Sequence, residues 1–144
     1  MTFGVDTSVL VAAVHANHPR HFAASAWLDA AFSSNEVVVA HHSVIEAYAV
    51  LTRLPGGHRL MPEEAVMVIH ETLEGNARIA PFAATSIWDT LAGVADAPAA
   101  GGATYDAFII HVLATAGVDA IVTYNVNDFR RLARGHRVVD PSEA

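Results

Sequence analysis

The chain has 144 residues, 53% of them hydrophobic and 16% charged, with no cysteine, which suits one domain over 1–144 and excludes disorder, disulfide scaffolds, cysteine zinc sites and thiol nucleophiles. Fifteen acids stand against eight bases, all arginine, for a formal net charge of −7, so any RNA or DNA binding must use a local basic patch or metal ions. No uncharged apolar run reaches the roughly 18 residues of a membrane helix, and the opening MTFGVDTSVL carries no basic leader, so a cytoplasmic location is expected.

Phe3 to Asp6 is a short apolar run ending in an acid and reads as a buried strand, with a helix starting at the good caps Thr7 or Ser8. His18-Pro19 is expected to open a second helix, because proline suits a first helical turn, and Phe22, Ala26, Trp27 and Ala30 continue it to about Phe32. Val37 to Ala40 is a continuous β-branched run of the kind found in central parallel strands. Ser43 is expected to cap a helix through Leu54, with Glu46 at the capping-box spacing. Pro55-Gly56-Gly57 breaks the chain, and Pro62-Glu63-Glu64 starts a helix that stops near Gly75-Asn76. Ala77–Ala80 reads as a short strand, Thr85 to Ala97 as a helix and Pro98–Gly102 as a loop. Thr104 is expected to cap an apolar helix ending at Gly117, followed by a strand at Ala120–Thr123, a short helix at Asp128–Arg134 and a last strand at Arg137–Asp140. Strands alternating with helices predict an α/β sandwich with a mainly parallel sheet.

Ligands in such sheets bind beyond the carboxyl ends of the strands. That edge selects Asp6 at the end of the first strand, Glu46 and Asp106 in first helical turns, and Asp128 after the strand ending at Thr123. Converging carboxylates repel one another unless a hard cation neutralises them, and oxygen-only ligands point to Mg²⁺ or Mn²⁺. Such sites hydrolyse phosphate esters by activating water and neutralising phosphate charge. A plainer reading is open for Glu46, Asp106 and Asp128, since first-turn acids complement the helix dipole. Asp6 is different, because an acid at the end of a buried strand is expensive unless it is paired or metal-bound.

The segments VDTSVL (5–10), SVIEAY (43–48), GGATYDAFIIHVLATAG (101–117) and TYNVNDFRRL (123–132) together resemble the four signatures of PIN domains, most nearly those of VapC toxins from type II toxin–antitoxin modules. The resemblance runs through essentially the whole chain in order. It implies a three-layer sandwich around a central parallel sheet and a metal-dependent endoribonuclease that leaves a 5′-phosphate and a 3′-hydroxyl. It makes Asp6, Glu46, Asp106 and Asp128 the catalytic set, with a Mg²⁺ or Mn²⁺ ion held chiefly by Asp6 and Asp106. It also implies a small VapB-like antitoxin as partner, a homodimer, and structured RNA as substrate. Asn125 stands where some members carry aspartate, which weakens the negative field at that corner; Asn125 and Thr123 can still hydrogen-bond a water shell or ligand.

Other residues admit two readings. Arg130, Arg131, Arg134 and Arg137 form the densest basic cluster, suited equally to a helix C-terminus or to a phosphate-gripping rim beside Asp128. Arg53 and Arg59 could edge the same groove. His15, His18 and His21 recur every three residues, but Pro19 interrupts them, so a polar loop rim is expected rather than a metal site. His111 is expected to be packed, and Trp27 and Trp88 to be core or interface residues. Two alternatives to the nuclease are a scaffold that only binds RNA or a partner, and an aspartate-nucleophile phosphatase using Asp6. The phosphatase would want a second aspartate two residues on, where Ser8 stands. A mean hydropathy of +0.34 is high for so short a chain and independently asks for a covering partner.

Overall fold

A computed structural model describes residues 1–82, 87–97 and 99–144. Its strands are β1 (Thr2–Val5), β2 (Glu36–Ala40), β3 (Arg78–Ala80), β4 (Ala120–Val122) and β5 (Val138–Val139). They form one parallel sheet in the order β3-β2-β1-β4-β5. The helices are α1 (Thr7–Val14), α2 (His21–Ser34), α3 (His41–Leu51), α4 (Pro62–Leu73), α5 (Ile87–Asp96), α6 (Ala103–Thr115) and α7 (Val126–Leu132).

Alternation along the strands divides the core into two layers. Phe3, Val5, Val37, Val39 and Val122 pack against α1 to α4, where Leu10, Leu28, Leu51 and Ile69 are buried. Val38, Ala40 and Ile121 face the opposite way, onto Val94 of α5, Ile109 and Leu113 of α6 and Phe129 of α7. The expected three-layer sandwich is therefore what the chain forms. Both faces of the sheet are covered, which is why the strands read as unbroken apolar runs.

Gly4 sits on the α6 side of β1, where an added Cβ would lie 3.0 Å from one Leu113 methyl and 3.2 Å from Val118. Leu113 is fully buried and has little room to retreat. Gly4→Ala is therefore expected to destabilise the fold by about 1–3 kcal/mol, the usual range for overpacking, measurable as a lower urea midpoint at unchanged slope.

Several element boundaries differ from the sequence reading, each for a local reason. The first strand ends at Val5, and Asp6 itself is the N-cap of α1, accepting from the Ser8 backbone N–H. Pro19 lies in a turn closed by the His21 N–H on the His18 carbonyl, 2.9 Å, so α2 opens only at His21. β2 runs into α3 without a loop, so α3 starts at His41 and ends at Leu51. Ser43 thus lies inside the helix, its buried Oγ without a hydrogen-bond partner, and no capping box with Glu46 forms. Glu46 accordingly falls in the second turn, not the first. Gly102 precedes α6 and Thr104 lies within its first turn. α7 begins two residues early, at Val126, and stops before Arg134, whose φ is +41°. Thr85, the expected start of α5, and Pro98 lie outside the described residues. Gly75 and Gly117, at φ +75° and +79°, stop α4 and α6 close to where the sequence placed their ends.

Candidate active site

The carboxyl ends of β1 and β4 meet at Asp6, whose backbone N–H donates to the Val122 carbonyl at 3.1 Å. The Asp6 side chain is 2% exposed. Its Oδ2 accepts from the Ser8 hydroxyl at 2.7 Å, the Thr123 hydroxyl at 2.9 Å and the Ser8 N–H at 3.1 Å. All three of these bonds fall on Oδ2 and fix the orientation of the carboxylate. Burial raises the Asp6 pKa above the usual carboxylate value, against the opposing pull of these hydrogen bonds.

Glu46 reaches the same place from α3. Its Oε2 accepts from the Thr7 hydroxyl at 2.6 Å, a bond between residues 39 apart in sequence. Asp106 enters from the first turn of α6 and is half-buried. Its pKa rises from 3.8 to about 6, first through burial and then through the charges of Asp6, Glu46 and Asp128. Asp6, Glu46 and Asp106 line one cavity of about 450 Å³ together with Thr7, Ser8, His18, Pro19, Arg20, Tyr124 and Asn125. Asp128 stands outside that lining, exposed and 3.4 Å from Arg131, yet near enough to act on Asp106.

Thr123 is fully buried and links the corner together. It donates to Asp6 and accepts from the Asn125 N–H at 3.0 Å. The Tyr124 N–H donates to the Ser8 hydroxyl at 3.0 Å. Ser8 and Thr7, read from sequence as helix caps, are thus the groups that orient the two acids. Arg20, unremarked in the sequence, lies on the cavity wall with its guanidinium 4.3 Å from the centre of the Tyr124 ring.

The PIN-domain family profile matches residues 4–135. The chain belongs to the PIN-domain family. Ribonuclease VapC27 of Mycobacterium tuberculosis is 31% identical over 105 residues, covering 73% of this chain and 72% of that protein. Ribonuclease VapC40 of the same organism is 34% identical over 112 residues, covering 78% of each. Among solved structures, VapC20 of M. tuberculosis, described as a Sarcin-Ricin loop cleaving toxin, superposes with a TM-score of 0.70 at 22% identity, covering 96% of this chain and 99% of that one. FitAcB from Neisseria gonorrhoeae gives 0.64 at 16% identity, covering 99% of each chain. At these identities the two structures speak for the shared fold.

The other candidate residues of this PIN domain have different surroundings. Arg130 donates to the Val138 carbonyl at 3.1 Å and lies 3.4 Å from Glu143. Arg134 lines a separate cavity with His111 and His136. None of Arg130, Arg131 and Arg134 lines the acid-bearing cavity, and Arg53 and Arg59 are exposed. The three spaced histidines do not form a shared rim. His15 is buried with Nε2 2.9 Å from the His58 carbonyl, His21 Nδ1 is 3.3 Å from the Ala12 carbonyl, and only His18 lines the cavity. His111 is exposed rather than packed, because it points away from the sheet while Val112 and Leu113 face the core. Trp27 packs edge-on against Phe3 as a core-margin residue, whereas Trp88 is 76% exposed.

Among the described residues no three carboxylate or imidazole side chains are gathered into a ready-made metal cage. The donor set still suits Mg²⁺ or Mn²⁺ in kind. The cavity offers oxygen donors, its buried acid has no cation partner among the described residues, and magnesium is commonly held by one or two carboxylates while keeping several waters. Asp6 and Asp106 are the residues that could hold it.

Proposed function

We propose that this PIN domain is the toxin of a type II toxin–antitoxin pair and an endoribonuclease that hydrolyses RNA phosphodiester bonds with Mg²⁺ or Mn²⁺. The observation that carries the reading is the convergence of Asp6, Glu46 and Asp106, from three separate elements, on one cavity wall where burial, and then the neighbouring carboxylates, push Asp106 up to about 6. A protein tolerates such crowding where function uses it. The relatives named as VapC ribonucleases support RNA as the substrate class.

A bound divalent cation would supply an activated water and neutralise charge on the phosphate. The chain's own groups do the rest. Ser8 and Thr123 fix the Asp6 carboxylate so that it faces the cavity in one orientation. Thr7 fixes Glu46, which would help to hold the metal or take the proton from the attacking water. Water would add at phosphorus as its proton passes to a carboxylate, the bond to the 3′-oxygen would break and that oxygen take a proton from solvent, so that the products carry a 5′-phosphate and a 3′-hydroxyl. Asp128 would act through the water shell, and Arg130, Arg131 and Arg134 would meet flanking RNA outside the cavity. An aspartyl-phosphate route finds no helper, since Ser8 occupies the position a second acid would need and donates its hydroxyl to Asp6.

A small VapB-like antitoxin is the expected partner, with a homodimer as the resting assembly in the cytoplasm. Among the described residues no helix is long and apolar enough to cross a membrane. The deciding experiment is incubation with total cellular RNA in Mn²⁺ and in excess chelator. Discrete fragments with 5′-phosphate ends in Mn²⁺ alone are the expected result; full cleavage in chelator would sink the metal-site reading.

A further inference from the structure

We infer that Arg20 is the phosphate ligand of the acid-lined cavity, its guanidinium holding the RNA backbone at the mouth while Asp6, Glu46 and Asp106 face the bond to be cut. The inference rests on the nuclease reading above and names the residue that lets an acidic protein accept a polyanion there.

The chain carries a net charge of −7, and the cavity adds three local acids. RNA approaching such a wall is repelled unless a cation stands beside the acids. Arg20 is the arginine on that wall. Three other arginines stand beside a carboxylate: Arg78 by Glu36 at 2.7 Å, Arg130 by Glu143 and Arg131 by Asp128, both at 3.4 Å. Among the described residues no carboxylate lies within ion-pair distance of Arg20, although it shares a cavity with three.

The Tyr124 ring explains that separation. The guanidinium stacks on it at 4.3 Å, which holds the charge beside the acids without collapse onto them. Tyr124 is in turn tied to the acid site, since its N–H donates to Ser8 and the Ser8 hydroxyl donates to Asp6. The Arg20 backbone is held as well, its N–H donating to His18 Nδ1 at 3.0 Å. A side chain stacked by its face keeps its edge N–H donors for a ligand, and a guanidinium edge matches two phosphate oxygens at once. Stacking also restricts the side chain before RNA arrives, so less freedom is lost on binding.

The test is binding of a short fluorescein-labelled single-stranded RNA of mixed sequence, followed by anisotropy in chelator across a salt series, beside cleavage of total RNA in Mn²⁺. Arg20 is exposed, so Arg20→Ala should keep its melting temperature. It is expected to weaken binding by about tenfold, the order of a charged hydrogen bond, and to reduce the salt slope by about 0.7. Arg20→Lys should keep the slope and regain only part of the affinity. Tyr124→Ala, which removes the ring, should lose several-fold in affinity with the slope intact. Wild-type affinity and slope in Arg20→Ala, with the wild type cutting RNA, overturn this assignment alone. A wild type that neither binds nor cuts RNA overturns the nuclease reading and this assignment with it.

Discussion

Asp106→Asn and Asp6→Asn should each reduce RNA cleavage by about a thousandfold or more, and Asp106→Asn should at the same time raise the melting temperature of the metal-free protein. The loss follows from removing a carboxylate that anchors charge stabilisation at the phosphate, a contribution of several kcal/mol, where each 1.36 kcal/mol is tenfold in rate. The gain in stability follows from the sign of the shift. Asp106 binds its proton with a pKa of about 6 in the folded chain against an ordinary 3.8. The folded state therefore holds more protons than the unfolded one between those values, and stability falls as pH rises from about 4 through 6. Above that window the ionised carboxylate is a standing cost, which the neutral amide removes. Thermal melts in chelator from pH 4 to 8 should show a downward slope in the wild type and a flatter curve in Asp106→Asn. Asp6→Asn has the same sign from burial, but its amide must still satisfy Ser8 and Thr123 on one oxygen, so its gain should be smaller. A variant that cuts RNA at the wild-type rate would remove that acid from the catalytic set.

Val66→Asp should lower affinity for the proposed VapB-like antitoxin by a hundredfold or more while leaving RNA cleavage intact. α3 and α4 enclose an open apolar cavity of about 540 Å³, lined by Val44, Ile45, Tyr48, Val66, Ile69 and Leu73. Ile45 is 67% exposed and Val66 57%, with Met61 and Met67 close by in sequence and also exposed. Apolar side chains gathered on one surface mark a place where another chain packs. A helix laid in such a groove is a common way to cover it, and a carboxylate trapped beneath that helix costs several kcal/mol on burial. Val66 belongs to α4 and is not in the lining of the acid cavity, so the variant separates docking from chemistry. Phe22, at 84% exposure on α2, is a further exposed apolar side chain, whereas Leu51 is fully buried in the core. An antitoxin arginine entering the acid cavity would pair with Asp6, Glu46 and Asp106 and compete with the metal, so inhibition should relax as divalent cation is raised. Titration calorimetry with the antitoxin checks the docking, and unchanged affinity in Val66→Asp would move the interface elsewhere. Conversion of a dimer to a monomer by the same variant would assign the groove to self-association.

The strands and the helix order were legible in the sequence because each is set by local patterning. Val37 to Ala40 reads as a strand covered on both faces, and Gly75 and Gly117 stop their helices through backbone freedom that other residues lack. The acids were legible too, because the ends of parallel strands are where such sheets expose chemistry. What local patterning could not supply was adjacency between distant residues. Ser43 and Glu46 stand at capping-box spacing, but β2 feeds α3 directly, so the helix starts earlier and Glu46 answers to Thr7 instead. Thr123 reaches Asp6 across 117 residues because β4 pairs with β1. Arg20 joins the site because the turn holding Pro19 sets it against Tyr124, and neither residue carries a local signal for the other. The sequence by itself determined which elements form and which acids lie at the sheet edge, since those depend on neighbours along the chain. The tertiary structure decided which hydroxyls orient the acids, which arginine stands beside them and which apolar faces stay open, since those depend on strand order and helix placement bringing remote residues within hydrogen-bond or stacking distance.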